Sequence, residues 1–396
     1  MSVAGEVHAA GFGVPDTMEK LRTYLQAALE VEHLTIPVYM TGMYTIRPGT
    51  NSTAHYVIRS VLLEEMLHMT LAANLLNAVG GHPKVAHPDF IGKYPARLPM
   101  SSDKLKEIHL RHFSPKALDT FLAIEQPRSF STKVPEGSGW TSIGQFYETV
   151  RQGLVRLVRE HGESKVFTGP DSSQVGPEDF YNSGGEAFKI TDLKTALTAI
   201  EVISEQGEGA HGSIWDSDDQ LFGEERQLAH YFRFKEIREG RRYSPNDVPD
   251  LPPSGPLLDV TWDDVYKIDG DAKLADYKKH AATSEVYARA KEFNDVYAML
   301  LGFLDLAFNG FPPAMLAAVP TMLEMRDRAE RLFRNPHPDP AQAGENVFAS
   351  ATFEITTPQF AQAKERVQQY VAAADLDPGT PVSLSGTTVT PTERPA

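Results

Sequence analysis

The 396-residue chain sets 38 Lys and Arg against 53 Asp and Glu, a formal charge of −15 that argues against nucleic acid or an anionic membrane as its main partner. With no cysteine it excludes disulfides, thiolate-held zinc, cysteine-held iron–sulfur clusters and cysteine nucleophiles, so reactive chemistry rests on His, Asp, Glu and Tyr. No apolar run reaches the roughly 18 residues of a membrane span, and MSVAGEVHAAGFGVP lacks the basic-then-apolar pattern of a signal peptide, so a cytoplasmic location is expected.

In chain order, the spacing of Leu21, Leu25, Ala28, Glu32, Thr35 and Tyr39 predicts a helix over about 17–46, with Pro37 inside it. Ile58, Leu62, Glu65, Met69, Ala72 and Leu76 form one face of a second helix, about 51–80, which stops at Gly80-Gly81. The short link holding Pro48 and Gly49 makes the two antiparallel neighbours. Residues 82–140 are rich in Pro, His and Ser, with one short helix near 115–124, and a further helix is expected near 142–161. Residues 162–190 read as loop. Two more helices are expected over about 192–210 and 219–241, then two apolar ones over about 282–308 and 314–333. The expectation is a single all-α domain over 1–375, built on four core helices at 17–46, 51–80, 192–210 and 219–241. The C-terminal pair wraps this core, long loops cap it, and a Thr-, Pro- and Ser-rich tail over 376–396 is disordered.

Glu65 and His68 are spaced so that one helix face presents both to a single ion, the device by which carboxylate bundles hold two irons. The spacing alone is a weak signal, since chance supplies about one match in such a chain; Glu30/His33, Glu65/His68 and Glu208/His211 all match. Position is more informative. Glu65 and His68 lie among Leu62, Met69, Ala72 and Leu75, where an ionised carboxylate is costly unless paired or metal-bound; the competing reading is a buried Glu–His hydrogen bond. Glu32 interrupts an apolar stripe in the same way, whereas Glu30 shares a polar face with Glu19, Thr23 and Gln26 and is expected to point outward. His33 borders the core, from which it could support a ligand without binding metal. Glu201, Glu205 and Glu208 are alternatives on the third core helix, with Gly207 and Gly209 marking open space beside Glu208 or an ordinary helix end. His230 is a candidate on the fourth, where Gln227 stands in place of a second carboxylate.

The segments LEVEHLTIPVY (29–39), LLEEMLHMTLAANLLNAVGG (62–81), SIGQFYETV (142–150), EQGEG (205–209), HYFRFKEI (230–237), NDVYAMLLGFLDLAFNG (294–310) and ATFEI (351–355), in this order, resemble the ferritin-like family of iminophenyl-pyruvate dimer synthases. The resemblance implies a ferritin-like bundle and an iron-dependent oxidoreductase of secondary metabolism. It implies dioxygen or peroxide as oxidant and a small aromatic amino-acid-derived imine or similar metabolite as substrate. It also implies Glu32, Glu65, His68, Glu208 and His230 as the metal-site residues. The chain lacks the large additional region of the violacein-pathway member. Mono- and di-nuclear non-haem iron both fit these donors, and haem on His68 or His230 fits less well. Two other classes stand beside this reading: iron or peroxide handling without an organic substrate, and a metal-free helical interaction protein. A homo-oligomer is compatible with all three.

Overall fold

The computed structural model describes residues 11–127, 139–181, 184–210 and 212–376, and the strand pair β1 (Val382–Leu384) and β2 (Thr387–Val389). His211 and the remainder of the 376–396 tail lie outside the described residues. The helices in chain order are α1 (Met18–Tyr44), α2 (Ser52–Ala78), α3 (Pro115–Ile124), α4 (Ile143–His161), α5 (Glu163–Val166), α6 (Leu193–Glu208), α7 (Asp218–Leu221), α8 (His230–Glu239), α9 (Leu274–Lys278), α10 (Val286–Phe308), α11 (Ala314–Phe333), α12 (Pro340–Gly344) and α13 (Thr357–Leu376).

The long helices start where side chains satisfy their free backbone N–H groups. Thr17 caps α1 through the N–H of Lys20, Ser142 caps α4 through Gln145, and Asp192 and Thr195 cap α6 reciprocally. Helix α1 runs through Pro37, whose carbonyl accepts from the Thr41 hydroxyl at 2.7 Å. Helix α2 ends at Val79, followed by Gly80 at φ +69°, a left-handed turn that glycine adopts without steric cost.

Four helices close a ring: α1 packs along α2, α2 on α6, α6 on α4, and α4 back on α1. This four-helix bundle differs from the expectation at one corner. The fourth wall is α4, the strongly amphipathic helix near 142–161, and not a helix over 219–241. Residues 219–241 do not form one helix. After α7 the chain turns at Gly223 (φ +68°), runs back so that Leu228 bridges Trp215, and begins α8 only at His230. The reason is local, because residues 223–227 are exposed and supply no apolar stripe to hold a helix on the core. Helices α3 and α8 pack on each other, α3 also on α1, and α8 on α2 and α6.

The C-terminal helices cover the outer side of α1 and α2. Helix α10 packs on α2, α11 on α1, and α13 lies along α10. The loops are stitched to the bundle by buried amides. Asn77 donates to Ser173 O and Phe308 O at 2.8 Å each. Asn74 donates to Val175 O (2.8 Å) and Phe188 O (2.9 Å) and accepts from Val175 N (2.9 Å). Asn74→Ala breaks all three bonds and strands buried backbone groups, so it should lower unfolding free energy by roughly 2–4 kcal/mol. Denaturant unfolding reads this loss, and hydrogen exchange should speed up first in 174–181 and 184–190.

Candidate metal centre

Helix α1 delivers Glu32 from mid-helix, and α2 delivers Glu65 and His68 from one face. Glu125, the residue that ends α3, arrives from the side, and His230 is the first residue of α8. None of the five is more than 3% exposed. Their donor atoms form two groups that share Glu65: Glu32, Glu65 and His68 in one, Glu65, Glu125 and His230 in the other. His68 Nδ1 stands 3.7 Å from Glu32 Oε2 and 3.8 Å from Glu65 Oε1. His230 Nδ1 stands 3.0 Å from the same Glu65 oxygen and 3.5 Å from Glu125 Oε2. The two imidazoles are stacked, with centroids 5.4 Å apart.

Each outer oxygen or nitrogen has a partner of its own. Tyr147 on α4 donates to Glu32 Oε1 at 2.6 Å, and Tyr39 donates to Glu125 Oε1. Thr35 donates to Glu65 Oε2 at 3.0 Å. His68 Nε2 meets Gln206 Oε1 at 2.8 Å, and His230 Nε2 meets Glu64 Oε2 at 2.7 Å. Arg233, one turn beyond His230, grips both oxygens of Glu64 at 2.8 and 2.7 Å.

The electrostatics follow from burial and crowding. Burial, then the nearby Glu125 charge, pushes the Glu65 carboxyl up to about 7, although His230 and His68 oppose this. For His230 burial favours the neutral ring, but Glu125, Glu64 and Glu65 together outweigh it and raise the imidazole. His68 is raised by Glu32 and Glu65, again against burial. Burial alone would raise Glu64, yet Arg233 and His230 bring it down to about 2. Burial and the adjacent carboxylates keep both phenols, Tyr39 and Tyr147, protonated.

Without an ion, the carboxylates and imidazoles balance one another by sharing protons. A cation is the other way to balance them, and one atom argues for it. His230 Nδ1 is buried and faces two carboxylate oxygens, Glu65 Oε1 at 3.0 Å and Glu125 Oε2 at 3.5 Å, with no well-directed hydrogen bond to either. Two carboxylates and one imidazole per group is a donor set suited to iron or a similar first-row ion.

Glu208 ends α6 in a different setting. Its Oε1 accepts from Gly144 N at 2.6 Å, and a side chain at Gly144 would collide with the carboxylate at 2.4 Å. It lines the same void of about 10 Å³ as Glu32, Glu65, His68 and Glu125, but belongs to neither donor group among the described residues. Glu201 is exposed and Glu205 half-buried, so of the three carboxylates on α6 only Glu208 reaches this void. His33 faces away from the donors, toward Tyr297 on α10, whose hydroxyl lies 2.7 Å from His33 Nε2.

Glu30 corrects an expectation, because it is buried. Loop and C-terminal helices cover α1 on nearly every side, so its polar face is not a solvent face. Sequence reasoning also missed Glu125, Glu64, Gln206, Arg233, Tyr39 and Tyr147. Glu125 follows the apolar FLAI at the end of a short helix, and only its burial there could have marked it. Arg233 lies three residues after His230, on the same helix face.

A ferritin-like family model matches residues 25–239. The chain belongs to the ferritin-like family. It is similar to the dichlorochromopyrrolate synthase of Lentzea aerocolonigenes, 26% identical over 380 residues that take in 83% of this chain and 34% of that protein. This ferritin-like chain thus spans about a third of that relative's length. The crystal structure of a ferritin-like protein from Caulobacter vibrioides superposes with a TM-score of 0.56 at 22% identity, over 81% of this chain and 97% of that one, a likeness of fold. Among the described residues, no helix of this family member is long and apolar enough to cross a membrane.

The burial of Glu30 has a measurable consequence. Burial, and after it the Asp89 charge, pushes its carboxyl up to about 7 although Gln26 opposes this, so the folded state holds a proton that the unfolded chain releases near 4.5. Stability from this group is therefore present at low pH and declines as pH rises from about 4.5 through 7. Glu30→Gln should match the wild type near pH 4 and become the more stable protein by pH 8, with metal content unchanged. Thermal melts across that range check the crossover, and a variant that gains nothing at pH 8 would contradict it.

Proposed function

We propose that the chain is a metal-dependent oxidoreductase holding two irons between Glu32, Glu65, His68, Glu125 and His230, with Glu208 as a further ligand candidate beside the void. The observation that carries this reading is the sharing of Glu65 by two buried Glu2His groups, in which the inner nitrogen of each imidazole faces carboxylate oxygens only. Iron bound there supplies one-electron redox chemistry with dioxygen or peroxide.

The protein residues have definite tasks. Tyr147 and Tyr39 hold the outer oxygens of Glu32 and Glu125, which leaves Oε2 of each for the donor groups. Thr35 holds Glu65 Oε2, leaving Oε1 between the two histidines. The surrounding core excludes bulk water, which strengthens every charge interaction at the centre. A small aromatic amino-acid-derived imine or a similar metabolite is the substrate class we favour. Similarity to a synthase whose product name carries a pyrrole supports it, as does the resemblance to iminophenyl-pyruvate dimer synthases. The closed packing favours non-haem iron over haem, because the void of about 10 Å³ beside the donors is far below the roughly 300 Å³ and more of a cofactor pocket.

The same small void favours a second reading, iron and peroxide handling without an organic substrate. Oxygen uptake by the iron-loaded protein separates the two. Uptake that rises when an aromatic imino acid is added, with formation of an oxidised organic product, supports the first; uptake with Fe(II) alone and no organic turnover supports the second.

The metal assignment is tested by iron content. Glu65→Gln should lose most iron, because it weakens both positions, whereas His68→Ala should retain roughly half. Mass-spectrometric iron analysis of the purified variants reads this directly, and full iron in Glu65→Gln would remove the shared-carboxylate centre.

A further inference from the structure

Both histidines of the centre turn the same nitrogen inward, and the groups behind them differ in kind. Gln206 holds His68 from behind. The Gln206 amide nitrogen donates to Asp218 Oδ1 at 2.8 Å and to Gly184 O at 3.3 Å, both groups that only accept. This fixes the amide so that its oxygen faces His68 Nε2 at 2.8 Å. An imidazole meeting an acceptor at Nε2 carries a proton there, and once the ring is neutral, as a metal ligand must be, its lone pair is on Nδ1, toward Glu32 and Glu65.

Glu64 plays the corresponding part for His230 with a charged group. Its two oxygens are held by the Arg233 guanidinium, and Oε2 also faces His230 Nε2 at 2.7 Å. The proton again belongs on Nε2, and Nδ1 faces Glu65 and Glu125. The inner donors of the two positions are alike, one imidazole and two carboxylates including the shared Glu65. What distinguishes them is the acceptor behind each ring, a neutral amide for one and a carboxylate for the other. A carboxylate drawing on the N–H makes the ring a stronger electron donor at its other nitrogen.

We infer that Gln206 and Glu64 are positioning residues that lock both imidazoles with Nδ1 toward the metal positions, and that the carboxylate behind His230 makes its position the tighter of two unequal ones. The inference rests on the metal reading above and deepens it. It gives the buried Glu64–Arg233 pair and the Gln206–Asp218 pair a task beyond filling the core.

The probe is Co(II) alone, titrated into the metal-free full-length chain and followed by visible absorption and calorimetry. Two equivalents should bind in two separable steps. Gln206→Leu should weaken the second step by about 10- to 100-fold and leave the first in place, while Glu64→Gln should weaken the first by a similar factor. Because Glu64→Gln removes the carboxylate that grips buried Arg233 and leaves it Asp216 at 3.6 Å, a measurement on unaltered protein accompanies it. In the Zn(II)-loaded wild type labelled with 15N-histidine, His68 and His230 should both show Nε2–H and metal-bound Nδ1. Loss of that pattern for His68 in Gln206→Leu would be the signature of positioning, as opposed to lost packing. Two equal binding steps, Nε2-bound rings, or a Gln206→Leu variant that binds as the wild type does would overturn the inference and leave the metal centre standing. A wild type that takes up no Co(II) would overturn the metal reading itself.

Discussion

The structure turns on the burial of Glu65. One of its oxygens faces both His68 and His230, and two further carboxylates, Glu32 and Glu125, lie on either side. Carboxylates at such spacing cannot all stay ionised in a dry core without cations or protons to balance them. The imidazoles, the Tyr39 and Tyr147 hydroxyls and Thr35 all point inward as a consequence, and each satisfies one atom of the cluster. The bundle is arranged to make this cluster tolerable, which is the arrangement expected of a core that takes a metal.

The interruption of the chain before α8, local in its cause, also serves this constraint. A continuous helix over 219–241 would place His230 in mid-helix with its position dictated by the turns before it. Starting the helix at His230 frees the preceding segment to fold back through Leu228 and Trp215, and places Arg233 one turn on, where it grips Glu64. Asp216 and Asp218, from the fold-back segment, complete the surroundings. Asp216 stands 3.6 Å from Arg233, and Asp218 orients Gln206. The segment around α7 thus supplies the carboxylates that back Arg233 and Gln206, the first of which grips the group facing His230 while the second itself faces His68.

The long loops serve the same end indirectly. Asn74 and Asn77, one helical turn apart on α2, pin Ser173, Val175, Phe188 and the end of α10 to the helix that carries Glu65 and His68. Holding the loop with buried amides keeps the second half of α2, from Glu64 to Ala78, dry without adding charge near the centre.

Much of this was legible in the sequence. The all-α class, the positions of α1, α2, α6, α10 and α11, and the inward placement of Glu32, Glu65 and His68 all follow from spacing, because an apolar stripe interrupted by a carboxylate is a local pattern that a helix must bury. The exposure of Glu30 was misjudged because the stripe tells which face is apolar, not how many neighbours cover the opposite one. The choice of α4 over 219–241 as the fourth wall, the arrival of Glu125 from the end of a short helix, and the pairing of Gln206 with His68 and of Glu64 with His230 were decided only in three dimensions. Those contacts join residues 86 to 166 positions apart, and no periodicity within one segment specifies which distant segment will meet it. The sequence by itself determined which side chains had to be buried and therefore balanced; the tertiary structure decided which partners balance them.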